Sequence, residues 1–180
     1  MHKVTIPLII TGSSRKESNT QAFIDLIFND ERYTHASLTD HTILPYRYDG
    51  NYGNDDFDKL TQLILDHDVI LFATPVYWYS MSGIMKNFFD RFTDWVTINK
   101  ETGRKMKGKT FLLFATGGDP YLPEGFEVPF QRTAHYFDAT YAGSLFISES
   151  DKDVDGYLAR AKLFTDKVRE LCLQGNINKM

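Results

Sequence analysis

Cysteine is almost missing from this 180-residue chain, and Cys172 is the only one. An intrachain disulfide, a CxxC redox pair and a thiolate metal cage are therefore excluded. Long apolar runs are missing too. No stretch approaches the roughly 20 apolar residues of a membrane span. The longest early run, Ile6 to Ile10, is too short for a signal h-region and lacks a small-residue cleavage site after it, so the cytoplasm is the expected location. There is no surplus of positive charge. Lys plus Arg number 20 and Asp plus Glu 24, giving a net charge of −4. That argues against a nucleic-acid partner and against a polyanion-seeking membrane patch. The five histidines, His2, His35, His41, His67 and His135, are scattered, and none stands in an HExxH spacing.

What is present is ordinary for a globular protein: 42% hydrophobic, 24% charged and 14% aromatic residues. A chain this long buries roughly 70% of the surface its unfolded form exposes, and needs no staple to hold a core. Four apolar runs have strand character: Val4 to Thr11, Val69 to Thr74, Thr110 to Thr116 and Tyr141 to Ile147. The middle two are continuous rather than alternating, as in strands covered on both faces of a parallel sheet. A weaker run, Tyr33 to Leu38, stands where an edge strand belongs. Helical periodicity fills the gaps. Ala22, Phe23, Leu26 and Ile27 share one face. Phe57, Leu60, Leu63 and Ile64 share another, after Asp55 and Asp56 as caps. A broad stripe runs from Ile84 to Val96, a short helix from Pro129 to Phe137, and an amphipathic helix from Val154 to Leu171.

Strand and helix thus alternate five times with no break in composition, which predicts one domain over residues 1–180. The fold class is α/β: a flavodoxin-like three-layer sandwich, with a five-stranded parallel sheet in order 2-1-3-4-5 and helices on both faces. Pro7 lies in the first strand, which that order makes central. Since proline cannot donate to a ladder, it is expected where the strand enters the sheet, or at a bulge.

In such sheets ligands bind beyond the carboxyl ends of the strands, beside strand one. Three segments emerge there. The first, Gly12-Ser13-Ser14-Arg15-Lys16-Glu17-Ser18-Asn19-Thr20, carries hydroxyls, an amide and one forked cation before a helix N-terminus. Those are the parts of a phosphate cradle, though not of a Walker loop or GxGxxG. They also suit a polar cap followed by a solvated turn. The second, Pro75-Val76-Tyr77-Trp78-Tyr79-Ser80-Met81-Ser82-Gly83, holds three consecutive aromatics, a wall for a flat ring, an oligomer contact or a buried corner. The third, Thr116-Gly117-Gly118-Asp119-Pro120-Tyr121, pairs glycines that let backbone approach a ligand or simply make a turn.

These residues resemble the NAD(P)H-dependent FMN reductase family. GSSRKESNT at 12–20 resembles its GSxRxxSxT-type phosphate loop, and TPVYWYSMSGIMKNFFDR at 74–91 its more specific second motif. TGG at 116–118 fits its third flavin loop. The resemblance implies that Ser13, Arg15, Ser18, Asn19 and Thr20 hold the FMN phosphate. It places Pro75, Val76, Tyr77, Trp78, Tyr79 and Ser80 along the isoalloxazine ring. Thr116, Gly117, Gly118 and Asp119 then meet the ring's pyrimidine end. Lys86, Asp90 and Arg91 belong to the same motif, but Lys86 and Asp90 are spaced to pair on a helix surface. Iron–sulfur relatives carry a cysteine cluster after strand two. Here Leu44 to Asn54 has tyrosines instead, so no such cluster can be ligated. That stretch suits a flap, a partner surface or an inert loop.

The implied activity is transfer of hydride from NADPH or NADH to FMN and onward to a small electron acceptor: a quinone, free flavin, azo or nitro compound. The flavin carries that chemistry, so no catalytic side chain is expected, and no metal. The rival is a flavodoxin-like electron carrier without its own nicotinamide site. By analogy the family also implies a homodimer or homotetramer, with Trp95, Tyr121, Tyr136 and the tyrosine-rich flap as candidate contacts. The basic stretch Arg104 to Lys109 reads as an attractor for the 2′-phosphate of NADPH or as a solvated loop. Cys172 reads as a packing residue.

Overall fold

The two continuous apolar runs become neighbouring strands at the middle of the sheet. The computed structural model describes residues 6–15 and 17–177. In it, β3 (Val69–Tyr77) runs parallel to β5 (Thr110–Gly117), with Val69 opposite Thr110 and Pro75 opposite Thr116. Helices cover both faces, so these strands need no polar side, and β3 is buried from Val69 to Pro75. β1 (Leu8–Thr11) pairs with the other side of β3, and β2 (Thr34–Ser37) forms the edge beyond it. A short β4 (Ser80–Met81) folds back antiparallel on the end of β3, and β6 (Thr140–Ser148) closes the opposite edge. The order is β2-β1-β3-β5-β6 with β4 off the path. Its five parallel strands have the expected 2-1-3-4-5 arrangement.

Val4 and Thr5 lie outside the described residues. Pro7 sits just before β1, where its missing N–H removes no ladder bond. Its carbonyl accepts the Thr34 N–H at 2.9 Å and so sets the start of the β1–β2 pairing.

Among the described residues there are seven α-helices: α1 (Asn19–Ile27), α2 (Phe57–Asp66), α3 (Gly83–Asp90), α4 (Asp94–Thr97), α5 (Lys100–Arg104), α6 (Val128–Tyr136) and α7 (Val154–Ile177). One face of the sheet packs against α2, α3 and α6 around Phe72, Phe88, Phe92 and Phe130. The other packs against α1 and α7 around Ile9, Leu71, Phe114 and Phe164. Trp95 is part of the first core, its ring 4.2 Å from that of Phe92 and nearly parallel to it. At 2% exposure it is a core residue rather than the surface aromatic that an oligomer contact needs.

The buried face of α1 matches the expected one only in part: Phe23 and Ile27 are half-buried against the second core. Thr20, Ile24 and Phe28 are buried, while Ala22 and Leu26 face solvent. The helix turns this way because Thr20 makes a buried hydrogen bond that apolar periodicity does not register. At α2 the capping is done by Asp55, whose Oδ1 accepts the Phe57 N–H at 3.1 Å. Asp56 instead accepts the Thr42 N–H at 2.9 Å. Pro129 is the second residue of α6, where no intrahelical donor is needed. Cys172 is buried against the second core, as expected.

Candidate functional site

Chain leaves the sheet at the carboxyl ends of β1, β3 and β5, and buried hydroxyls tie the three exits together. The Gly12 N–H donates to the Ala73 carbonyl at 2.8 Å. Ser82 Oγ donates to the Gly12 carbonyl, and also accepts the Met85 N–H at 3.2 Å as the N-cap of α3. The Ser82 N–H donates to Thr74 Oγ1 at 3.1 Å, and the Thr74 hydroxyl passes its own proton to the Pro75 carbonyl at 3.0 Å. Thr20 and Thr116 meet hydroxyl to hydroxyl at 2.9 Å, both buried. The first and third loops are therefore joined across the sheet edge by side chains 96 positions apart.

Gly12 is needed for close approach. A Cβ there would stand 2.8 Å from Met85 Cε and 2.9 Å from Met85 Cβ. Any larger residue would push α3 off the end of β1.

In the first loop Ser18 caps α1, its Oγ accepting the Gln21 N–H at 3.2 Å. Ser13 is buried, and its Oγ makes a long 3.5 Å contact with the Arg15 N–H. Ser14, Arg15 and Asn19 are exposed. Among the described residues Arg15 makes no salt bridge, and the first turn of α1 carries no acidic side chain. The first-turn N–H groups of a helix lack intrahelical acceptors, so this end favours an anion.

The second loop is a hairpin. Trp78 and Tyr79 form its turn with φ of 49° and 64°. Left-handed backbone at two bulky aromatics costs on the order of 1–3 kcal/mol each. Trp78 is 93% exposed and Tyr79 68%, so no burial of their own rings offsets that cost. Tyr77 and Ser80 pair across the hairpin, Pro75 is buried, and Val76 packs on Gly117.

In the third loop Gly117 is buried, while Gly118 and Asp119 are open to solvent. Between the second and third loops lies a cavity of about 230 Å³. Six expected site residues line it: Val76, Trp78, Tyr79, Gly117, Gly118 and Asp119. Tyr121, Pro123 and Phe146 complete the wall. Tyr121 and Pro123 were reachable from sequence as the continuation of the third loop. Phe146 was not, since it belongs to an unremarkable apolar strand.

Compared with known proteins, residues 7–128 match the family described as NADPH-dependent FMN reductase. The chain belongs to the NADPH-dependent FMN reductase family. Its redox pair is accordingly FMN with a reduced nicotinamide. It is 26% identical over 145 residues to a Bacillus subtilis protein named as an NAD(P)H-dependent FMN-containing oxidoreductase, covering 75% of this chain and 80% of that one. It is 33% identical over 100 residues to a second B. subtilis protein named as an uncharacterized NAD(P)H oxidoreductase, spanning about half of each (49% and 51%). In structure it is similar to the general stress protein 14 of Treponema denticola in complex with FMN. That likeness has a TM-score of 0.67 at 19% identity and covers 92% of this chain and 99% of that one. A structure titled as the Trp repressor binding protein of B. subtilis gives 0.69 at 22% identity, over 87% and 95%. These two likenesses show the fold.

The residues of this FMN reductase family member suit an FMN. The first loop offers a guanidinium without a salt bridge among the described residues, hydroxyls and a helix N-terminus for a phosphate. Gly118 offers exposed backbone, since an added Cβ there would meet nothing within 4 Å. The cavity beside it has aromatic walls for a planar ring.

Three other groups singled out in the sequence stand apart from the cavity. Lys86 and Asp90 pair on the surface of α3 at 2.5 Å. The basic stretch Arg104–Lys109 precedes β5, at the edge of the sheet opposite the three loops. The strand's eight residues end on Gly117, about 26 Å of chain beyond Lys109. Arg104 pairs with Glu101, and the Lys109 ammonium is buried against the Leu65 and His67 carbonyls at 3.0 and 2.6 Å.

Arg91 is 3% exposed. It pairs with Asp55 and with Asp94 (2.8 Å), and donates to the Leu44 carbonyl at 3.1 Å. It also lies 3.4 Å over the Tyr52 ring. Burial alone would lower its pKa, but the hydrogen bonds and charges of the two carboxylates outweigh that and hold it above the usual value. This clamp fixes the tyrosine-rich segment to α3 and α4.

Proposed function

We propose that the protein is a single-domain, FMN-dependent oxidoreductase that takes hydride from NADPH or NADH and reduces a small acceptor: a quinone, free flavin, azo or nitro compound. One observation carries this reading. An anion-favouring helix start and an aromatic-walled cavity stand at the same sheet edge, joined by the Thr20–Thr116 hydrogen bond.

When bound, FMN supplies the capacity to accept hydride from a nicotinamide and to release it to a second molecule. The chain supplies position and electrostatics. Arg15 and the N–H groups at Asn19 and Thr20 hold the phosphate, with Ser13 and Ser18 shaping the loop around it. The Thr20 and Thr116 hydroxyls brace the two loops. Pro75 to Ser80 lie along the ring, with Trp78 and Tyr79 excluding water from one side. Gly117, Gly118 and Asp119 meet its pyrimidine end through backbone donors. No side chain need act as acid or base, which agrees with the absence of a catalytic dyad in the motifs.

The proposal includes a cytoplasmic homodimer or homotetramer. Tyr121 at 80% and Tyr136 at 65% exposure, with Tyr48 of the tyrosine-rich flap at 97%, are its remaining aromatic contacts. Among the described residues no helix is long and apolar enough to cross a membrane.

The test is spectroscopic. Protein loaded with FMN is mixed with NADPH and with NADH under anaerobic conditions. Bleaching of the flavin band, followed by recovery on adding a quinone, is the expected result, with ping-pong kinetics in steady state. A flavin band that neither nucleotide bleaches would leave an electron carrier in place of the enzyme.

A further inference from the structure

The peptide units of the third loop are turned by the chain that follows β6. The Glu149 N–H donates to the Gly117 carbonyl at 2.8 Å. Ser150 Oγ donates to the Gly118 carbonyl at 3.1 Å. A carbonyl only accepts, so the Ser150 hydroxyl proton is committed to it. The 2.8 Å contact between the Ser148 and Ser150 hydroxyls must then run from Ser148 to Ser150. Ser148 Oγ accepts the Ser150 N–H in return, at 3.2 Å, and is itself buried. Every hydroxyl proton in this short relay has one direction, and the relay ends on Gly118.

That direction matters on the other side of the peptide. No described peptide bond is cis. In a trans peptide each N–H points opposite to the carbonyl before it. Both the Gly117 and Gly118 carbonyls are turned toward β6, so the Gly118 and Asp119 N–H groups face away from it. β5 lies between β6 and β3. The opposite side is therefore that of the β3–β4 hairpin, which with Gly118 and Asp119 lines the cavity. Two successive N–H groups aimed one way make a concavity that favours negative charge.

We propose that Ser150, backed by Ser148, is a positioning residue that holds the Gly118–Asp119 peptide with its one donor, the Asp119 N–H, facing the cavity, and so favours the reduced, more negative form of FMN. Ser150 does not line the cavity and acts only through the peptide it holds. The inference rests on the FMN site proposed above.

The experiment compares the FMN-loaded wild type with Ser150→Ala, Ser150→Thr and Ser148→Ala. It measures the midpoint potential of the bound flavin by spectroelectrochemistry, the affinity for oxidised FMN by fluorescence, and thermal unfolding. Losing aim on a charged partner is worth about tenfold in Ser150→Ala preference for reduced over oxidised FMN, or about 30 mV for a two-electron couple. Affinity for oxidised FMN and thermal stability change little. Ser150→Thr keeps the hydroxyl and restores the wild-type potential, and Ser148→Ala shifts the potential the same way as Ser150→Ala. A wild type that binds FMN, with an unchanged potential in Ser150→Ala, overturns this inference alone. So does a variant that loses stability but keeps its potential. A wild type that binds no FMN overturns the site and this inference together.

Discussion

Replacing Arg91 with methionine removes the cation from a clamp whose carboxylates are almost inaccessible. The Asp55 and Asp94 side chains are 7% and 6% exposed, so water cannot take over the vacated positions easily. Methionine has similar length and can still cover Phe57, which keeps the packing loss small. Some of the carboxylates' hydrogen bonds persist: Asp55 still accepts the Phe57 and Leu44 N–H groups, and Asp94 the Tyr52 hydroxyl. The charges themselves have lost their counterion. Removing one partner of a buried ion pair costs about 3–5 kcal/mol. For a chain of this size each kcal/mol lowers Tm by roughly 2–4 °C, so a drop of about 6–20 °C is expected. Calorimetry and urea unfolding at neutral pH measure it. The triple variant Arg91→Met, Asp55→Asn, Asp94→Asn leaves no buried charge and should recover most of the loss. Arg91→Lys should not, because a single ammonium cannot reproduce the fork. The segment from Leu44 to Tyr52 should also become more sensitive to limited proteolysis in Arg91→Met. A loss below about 1 kcal/mol, the range of an exposed pair, would refute the reasoning.

Other expectations follow from single contacts. Gly12→Val places a Cβ against the stem of Met85, which has no room to swing away, and should cost about 1–3 kcal/mol by overpacking; an unchanged melting curve would contradict it. Burial lowers the His35 imidazole below its ordinary 6.5, partly opposed by Asp25 and Asp40. A folded pKa below the unfolded one means stability present above about pH 6.5 and lost as pH falls through the folded value. The urea midpoint of His35→Gln should therefore fall less than that of the wild type between pH 7.5 and 5, and equal slopes would count against it. The Cys172 thiol is pushed up to about 12 by burial, with the Asp68 and Glu31 charges adding to it. A thiol reagent at pH 8 should label it only after unfolding; rapid labelling of the native protein would show that α7 opens there.

The fold was legible because its strongest signals are backbone and burial signals. Two unalternating runs ending in LFATP and LFATG fit strands covered on both faces, and Pro7 was expected at a strand entry or a bulge, of which the structure shows the entry. The site was legible in its loops but not in its joints. Thr20 and Thr116 read only as ligand hydroxyls, and the buried hydrogen bond between them had no signal in the sequence. The hairpin behind β3 was hidden because its turn is Trp78-Tyr79, without the Asn, Asp or Gly that usually mark a mirror-type turn. Arg91 stood within an amphipathic stripe, where a charged residue ordinarily faces water. Its partners Asp55 and Tyr52 lie 36 and 39 positions away, and no periodicity connects them. The face of α1 was misjudged in part for a related reason: hydrophobic spacing weighs Leu26 above a threonine, while a satisfied buried hydroxyl decides the rotation.

The central claim is that the phosphate of FMN is held where α1 begins. Titrating the protein with FMN and with riboflavin, which lacks only that phosphate, tests it most directly, using flavin fluorescence as the readout. A charge-assisted contact is worth about 1.5–3 kcal/mol, so FMN should bind at least about tenfold more tightly than riboflavin. Arg15→Gln should close most of that gap while leaving riboflavin binding unchanged. Equal affinity for the two flavins, or a wild type that quenches neither, would contradict the account.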